Sequence, residues 1–70
     1  MERQTVTSSN IKSIGYDLRD QILEIEFNSG SIYQYFGVPQ DIYLSLMNSG
    51  SYGQYFHANI KNIYPTQRVN

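Results

Sequence analysis

The sequence predicts an α+β domain, a three-stranded antiparallel β-meander followed by two short helices packed on one face. Three observations point there. Leu23, Ile25 and Phe27 alternate with Glu24 and Glu26, the period-two pattern of a strand with one face buried and the other in water. Asn28-Ser29-Gly30 then marks a tight turn into Ile32-Tyr33-Gln34-Tyr35-Phe36, whose aromatic residues favour a pleated surface. After Pro39 the period changes to that of a helix, with Ile42, Tyr43, Leu46 and Met47 on one face.

The hairpin register depends on its loop. A three-residue loop, with Gly30 in the left-handed conformation, places Ile25 opposite Tyr33 and Leu23 opposite Tyr35, so both tyrosines share the apolar face. A two-residue loop, Ser29-Gly30, slips the pairing and moves Ile32, Gln34 and Phe36 to that face instead. The first register is preferred because it leaves Gln34 outward with Glu24 and Glu26. It also leaves Ile32 and Phe36 on the second face, as a candidate contact patch for a protein partner or a second copy of the chain.

Ahead of the hairpin, Ile11 to Tyr16 reads as a strand. Its apolar positions change phase between Ile11 and Ile14, which predicts a bulge near Ser13, or Ile11 packing as a separate plug. Residues 1–9 are polar and are expected to be frayed or an edge segment, and residues 66–70 a polar tail. Pro39 suits the first turn of the first helix and Asp41 its positive end. Asn48-Ser49-Gly50 ends that helix, with Gly50 suited to a left-handed cap. Ser51 or Ser49 caps the second helix, whose Tyr52, Tyr55, Phe56 and Ile60 share a face before Pro65. Gly53 within it is expected to mark a close approach of backbone to a neighbour.

Seventy residues make one domain, 1–70, and one short of core. Without cysteine it has neither disulfides nor thiolate-held metal, so seven tyrosines and three phenylalanines must supply the packing. The net charge of −1 and five scattered Lys and Arg residues exclude a general attraction to nucleic acid or to anionic membrane. No run of residues reaches a membrane span, and Met-Glu-Arg-Gln-Thr lacks the form of a secretory signal, so a cytoplasmic location is expected.

Few residues carry chemistry. His57 is the single histidine, expected to be solvated or at a helix end, and no Asp is placed beside it by the sequence. Glu24 and Glu26 share a strand face and read as two like charges in water rather than a catalytic pair. One His and no Cys leave no metal-ligand spacing, so no cofactor is expected and the chain is read as non-catalytic. Tyr33 and Tyr35 either stack nucleic-acid bases or serve as cross-strand partners of the core, the reading the register favours. Ser51-x-Gly53, with Lys61 further on, either holds an anion or is a helix cap with a packing contact.

Taken together, Ser8-Ser9, Ile11, Tyr16-Asp17, Leu23-x-Ile25-x-Phe27-x-x-Gly30-x-x-Tyr33-x-Tyr35-x-x-Val38-Pro39 and Ser51-x-Gly53-x-Tyr55-Phe56-x-x-x-Ile60 resemble the KTSC family from Ser8 to Pro65. That family is named for the C-terminal extension of some lysyl-tRNA synthetases and also occurs as small stand-alone bacterial or phage proteins. One departure is Ser49, where the family pattern leads one to expect Ala. The resemblance implies a small non-catalytic binding module with RNA as its partner, for which Tyr33, Tyr35, Ser51, Gly53, Lys61 and Arg68 are the candidate binding residues. The alternative is a protein-interaction or oligomerisation module using Ile32 and Phe36.

Overall fold

The computed structural model describes residues 1–70. Its strands are β1 (Arg3–Thr5), β2 (Ile11–Asp17), β3 (Ile22–Phe27), β4 (Ile32–Phe36) and β5 (Thr66–Arg68), with helices α1 (Gln40–Met47) and α2 (Tyr52–Asn59) between β4 and β5. The strands form one antiparallel sheet in sequence order, β1-β2-β3-β4-β5. The expected α+β meander is its centre. Residues 1–9, expected to be frayed or an edge segment, supply the edge strand β1, and residues 66–70, expected to be a polar tail, supply the opposite edge, β5.

The central hairpin has the three-residue loop. Ile25 pairs with Tyr33 and Leu23 with Tyr35, Phe27 N–H donates to the Ser31 carbonyl at 2.9 Å, and Gly30 sits at φ +97°. A residue with a Cβ is strained in that conformation, so the glycine fixes the loop and the loop fixes the faces. The predicted irregularity lies between Ile11 and Ser13, where the β2–β3 register shifts around Lys12. The shift turns Ile11 inward, fully buried, while Ser13 points to the opposite face.

The core lies between one sheet face and the helices. Ile11, Ile14, Leu23, Ile25 and Tyr35 from the sheet meet Leu46 of α1, Phe56 of α2, and Val38 and Ile60 beside the helices. Phe56 is the hub, edge-on to Phe27 at 5.5 Å and to Tyr35 at 5.4 Å, geometries that the ring quadrupole favours. Tyr16 stacks on Tyr43 of α1 at 4.6 Å and donates its hydroxyl to the Val38 carbonyl, which ties the start of α1 to β2.

The helix ends differ in detail from expectation. Pro39 is the residue before α1 rather than its first turn. Gly50 does not adopt the left-handed conformation; the Asn48 amide donates to the Leu44 carbonyl at 2.9 Å and the Ser49 hydroxyl to the Leu46 carbonyl at 2.8 Å. The same carbonyls accept the backbone N–H groups of Asn48 at 3.0 Å and Ser49 at 3.2 Å, so the side chains reinforce a last turn that closes without a left-handed glycine. Ser51 caps α2, accepting from Gln54 N–H at 3.3 Å.

On the face away from the helices, Arg3, Gly15, Glu24, Gln34 and Gln67 lie in one row across the sheet. Glu24 was expected in water, yet it is buried. Arg3 reaches across Gly15 to pair with it and Gln34 Nε2 donates to it at 2.8 Å; Arg3 Nε also donates to Ser13, whose hydroxyl donates to Glu26 at 2.8 Å. No buried side-chain N or O is left without a partner. Burial by itself would raise the Glu24 pKa, but the hydrogen bonds from Gln34 and Arg3 and the Arg3 charge outweigh it and hold the carboxyl below its ordinary value of 4.5.

A carboxyl with a lowered folded pKa stabilises the fold above its unfolded value, and that stability is lost as pH falls through the folded pKa. Arg3→Ala should therefore cost about 1–3 kcal/mol in urea denaturation at neutral pH, because it strips a buried carboxylate of its charged partner. The difference from wild type should shrink once the pH is low enough to protonate Glu24 in both proteins. An equal loss at both pH values would mean that the Arg3 stem, not its charge, does the stabilising.

Candidate functional site

Two adjoining depressions lie on the helix side of the sheet. The first is a cleft of about 370 Å³ between β4, β5 and α2. Its floor and inner wall are Phe27, Tyr33, Tyr35 and Phe56, and its polar rim is Asn10, His57, Lys61, Asn62 and Thr66. The second is a wider, shallower hollow lined by Ser9 and Asn10 on one side and by Ser51, Gly53, Gln54, His57 and Ala58 on the other. Asn10 and His57 line both.

The sequence explains why these side chains converge. The register puts Tyr33 and Tyr35 on the helix side, and Arg68 pairs with Tyr33 and Thr66 with Tyr35 across the β4–β5 ladder. Partners in a ladder share a face, so Arg68 belongs to the same side of the sheet. α2 ends at Asn59, and the turn that follows, with Asn62 at φ +64°, carries Lys61 and Asn62 to the cleft rim.

The two tyrosines are not equivalent. Tyr35 is 5 % exposed and belongs to the core, and its hydroxyl pKa is raised by burial, then by the neighbouring Tyr33, with Thr66 hydrogen bonding acting the other way. Tyr33 is half-buried, edge-on to Phe27 at 5.9 Å, and presents surface to the cleft. Tyr33, Tyr35 and Lys61 thus line the cleft, Ser51 and Gly53 line the hollow, and Arg68 sits at the β5 edge beside Tyr33.

His57 is exposed in the last turn of α2, as a helix-end histidine, and stands where the two depressions meet. Sequence reasoning did not join it, Asn10, Asn62 or Thr66 to the site. Thr66 would have been found from the Tyr35 partner position had β5 been recognised; Asn10 and Asn62 carry no pattern of their own.

The carboxylates stay out of both depressions: none of the six lines either one. Glu24 and Glu26 are engaged on the opposite face, Asp17 and Asp20 lie at the β2–β3 connection, Asp41 is in the first turn of α1, and Glu2 precedes β1. Against these stand Lys61 at the cleft and Arg68 at its edge. No group of three His, Cys, Asp or Glu side chains is placed to hold a metal ion, and no helix is long and apolar enough to cross a membrane.

Ile32 and Phe36, the other candidate patch, are half-buried on the opposite face. Phe36 pairs with Ile22, and Ile32 accepts from Val69 N–H at 2.8 Å. The row through Glu24 and Gln34 lies between the two positions, so their apolar surface is split in two.

The model of the KTSC domain matches residues 7–64 of this chain. The chain belongs to the KTSC domain family. A KTSC domain protein from Yersinia pestis has the same fold in its crystal structure, with a TM-score of 0.96, 39% identity, and coverage of 99% of this chain and 97% of that one. An uncharacterized protein of Stutzerimonas stutzeri is 41% identical over 61 residues, 87% of this chain and 86% of its own length. A lysine–tRNA ligase of a Nostoc species is 44% identical over 61 residues, which are 87% of this chain but only 11% of the ligase. The KTSC domain thus occurs both nearly alone and as a small module of a much larger protein.

Proposed function

We propose that this KTSC domain is a non-catalytic module that binds RNA through the cleft on the helix side of its sheet. The observation that carries the reading is the segregation of charge. In a chain of net charge −1, the walls of the cleft and hollow hold no carboxylate, while Lys61 and Arg68 flank an accessible tyrosine. A net charge near zero argues against binding only if the charges are evenly spread, and here the carboxylates are kept out of both depressions. Homology to a segment of a lysine–tRNA ligase, a protein named for a tRNA substrate, supports the same choice of partner.

With two cations engaged, affinity should fall with a log–log salt slope of about −1.4, or roughly sevenfold between about 50 and 200 mM salt. Tyr33→Ala should weaken binding by roughly 5- to 150-fold, the equivalent of losing ~1–3 kcal/mol of base stacking. Lys61→Glu should weaken it as well and flatten the slope. A fluorescence anisotropy titration with tRNA and single-stranded RNA checks this. Absence of any salt-sensitive binding, or affinity indifferent to both substitutions, would overturn the proposal.

A further inference from the structure

Gly53 has no structural reason to be glycine. Its backbone is not in the left-handed region, where only Gly30 and Gly37 lie among the glycines. A Cβ built on it would come no nearer than 3.9 Å to another residue, the Asn10 Cβ, an ordinary contact. The close backbone approach expected from the sequence is therefore absent. Gly15 shows the contrast, since a Cβ there would meet the Glu2 carbonyl oxygen at 2.6 Å. At a position that tolerates Ala, Gly destabilises the fold by leaving the unfolded chain more freedom. What the missing side chain does achieve is an open floor in the hollow beside the cleft.

The two depressions offer different chemistry. The cleft is aromatic inside and has amide, imidazole and ammonium groups at its rim, which suits the face and edge of a single base. The hollow presents neutral hydroxyl and amide groups from Ser9, Asn10, Ser51 and Gln54, with the His57 imidazole where it meets the cleft and no tyrosine or phenylalanine ring, which suits sugar hydroxyls and phosphate oxygens. In a duplex the base faces are covered by their neighbours, and only an unpaired base can enter a cleft of this kind. We infer that the unit bound is one unpaired nucleotide, its base in the aromatic cleft and its sugar–phosphate passing over Gly53. This inference rests on the RNA reading above.

The test compares wild type with Gly53→Ala, each titrated with a short single-stranded RNA of mixed sequence and with the same RNA annealed to its complement, alongside thermal melts. Wild type should bind the single strand at least about tenfold more tightly than the duplex, since the stacking contribution per base is withheld in the duplex. Gly53→Ala should melt roughly 2–8 °C higher and yet bind the single strand at least about fivefold more weakly, the equivalent of about one lost contact. Should that variant fail to fold, Gln54→Ala, at an exposed position of the same hollow, carries the test: weakened binding supports the inference and unchanged binding overturns it. Equal affinity for single strand and duplex, or full affinity in a folded Gly53→Ala, overturns the inference while leaving the RNA reading in place. If wild type binds neither RNA, both fall.

Discussion

Phe56→Ala should remove between about a third and all of the domain's stability at room temperature. Phe56 is 3 % exposed and is the ring on which Phe27 and Tyr35 converge. Emptying such a site costs about 3–5 kcal/mol from lost burial and from the cavity left behind. At ~0.05–0.15 kcal/mol per residue, a chain of 70 residues has only about 3.5–10 kcal/mol to lose. It has no disulfide to limit the unfolded state. Urea denaturation followed by near-ultraviolet circular dichroism reads the outcome, and Phe56→Leu should recover much of the loss by refilling the volume. A cooperative transition within about 1 kcal/mol of wild type would show that the cluster repacks around the gap.

Gly15→Val should strip β1 from the sheet while leaving the rest folded. The new Cβ would fall 2.6 Å from the Glu2 carbonyl oxygen and 2.9 Å from Arg3 Cγ, and one of the two obstacles is backbone. Overpacking of this kind costs about 1–3 kcal/mol. The loss cannot exceed the free energy with which β1 docks, because an edge strand has the option of leaving. Its departure would remove Arg3 from Glu24 and Ser13, so the buried carboxylate would keep only its bond from Gln34. Hydrogen exchange checks this at the Val6 amide, which donates to the Lys12 carbonyl at 3.0 Å. Its protection should drop toward that of a free chain while amides in the β3–β4 ladder keep theirs. Retained protection at Val6 would mean that the strand shifts aside and stays bound.

The parts of the molecule that were legible in the sequence are those whose side chains carry a period or a turn constraint. Asn28-Ser29-Gly30 demands one loop, and the loop placed Tyr33 and Tyr35 opposite Ile25 and Leu23. The phase change around Lys12 foretold the bulge. Of the edge strands, β1 was legible only as one of two alternatives and β5 not at all, for a physical reason: Arg3–Thr5 and Thr66–Arg68 are polar, and they become strands because a neighbour offers an unpaired row of N–H and C=O groups, not because of their own pattern. The buried state of Glu24 was hidden with β1, since the residue that covers it is 21 positions away. The same gap concealed half of the cleft. Tyr33 and Lys61 could be nominated individually, but Thr66 and Arg68 join them only through β5.

The pairing of β5 with β4 also orders the events of folding. β1 through β4 follow one another with short connections, whereas Tyr35 and Thr66 are 31 positions apart and Tyr33 and Arg68 are 35 apart. Contacts close in sequence form early because they close small loops, and the distant ladder comes late, after the intervening chain has collapsed into α1 and α2. The last strand to dock is therefore the one that completes the wall around Tyr33. A nascent chain would have its core before it has its cleft, so the wall around Tyr33 is completed at the final step of folding.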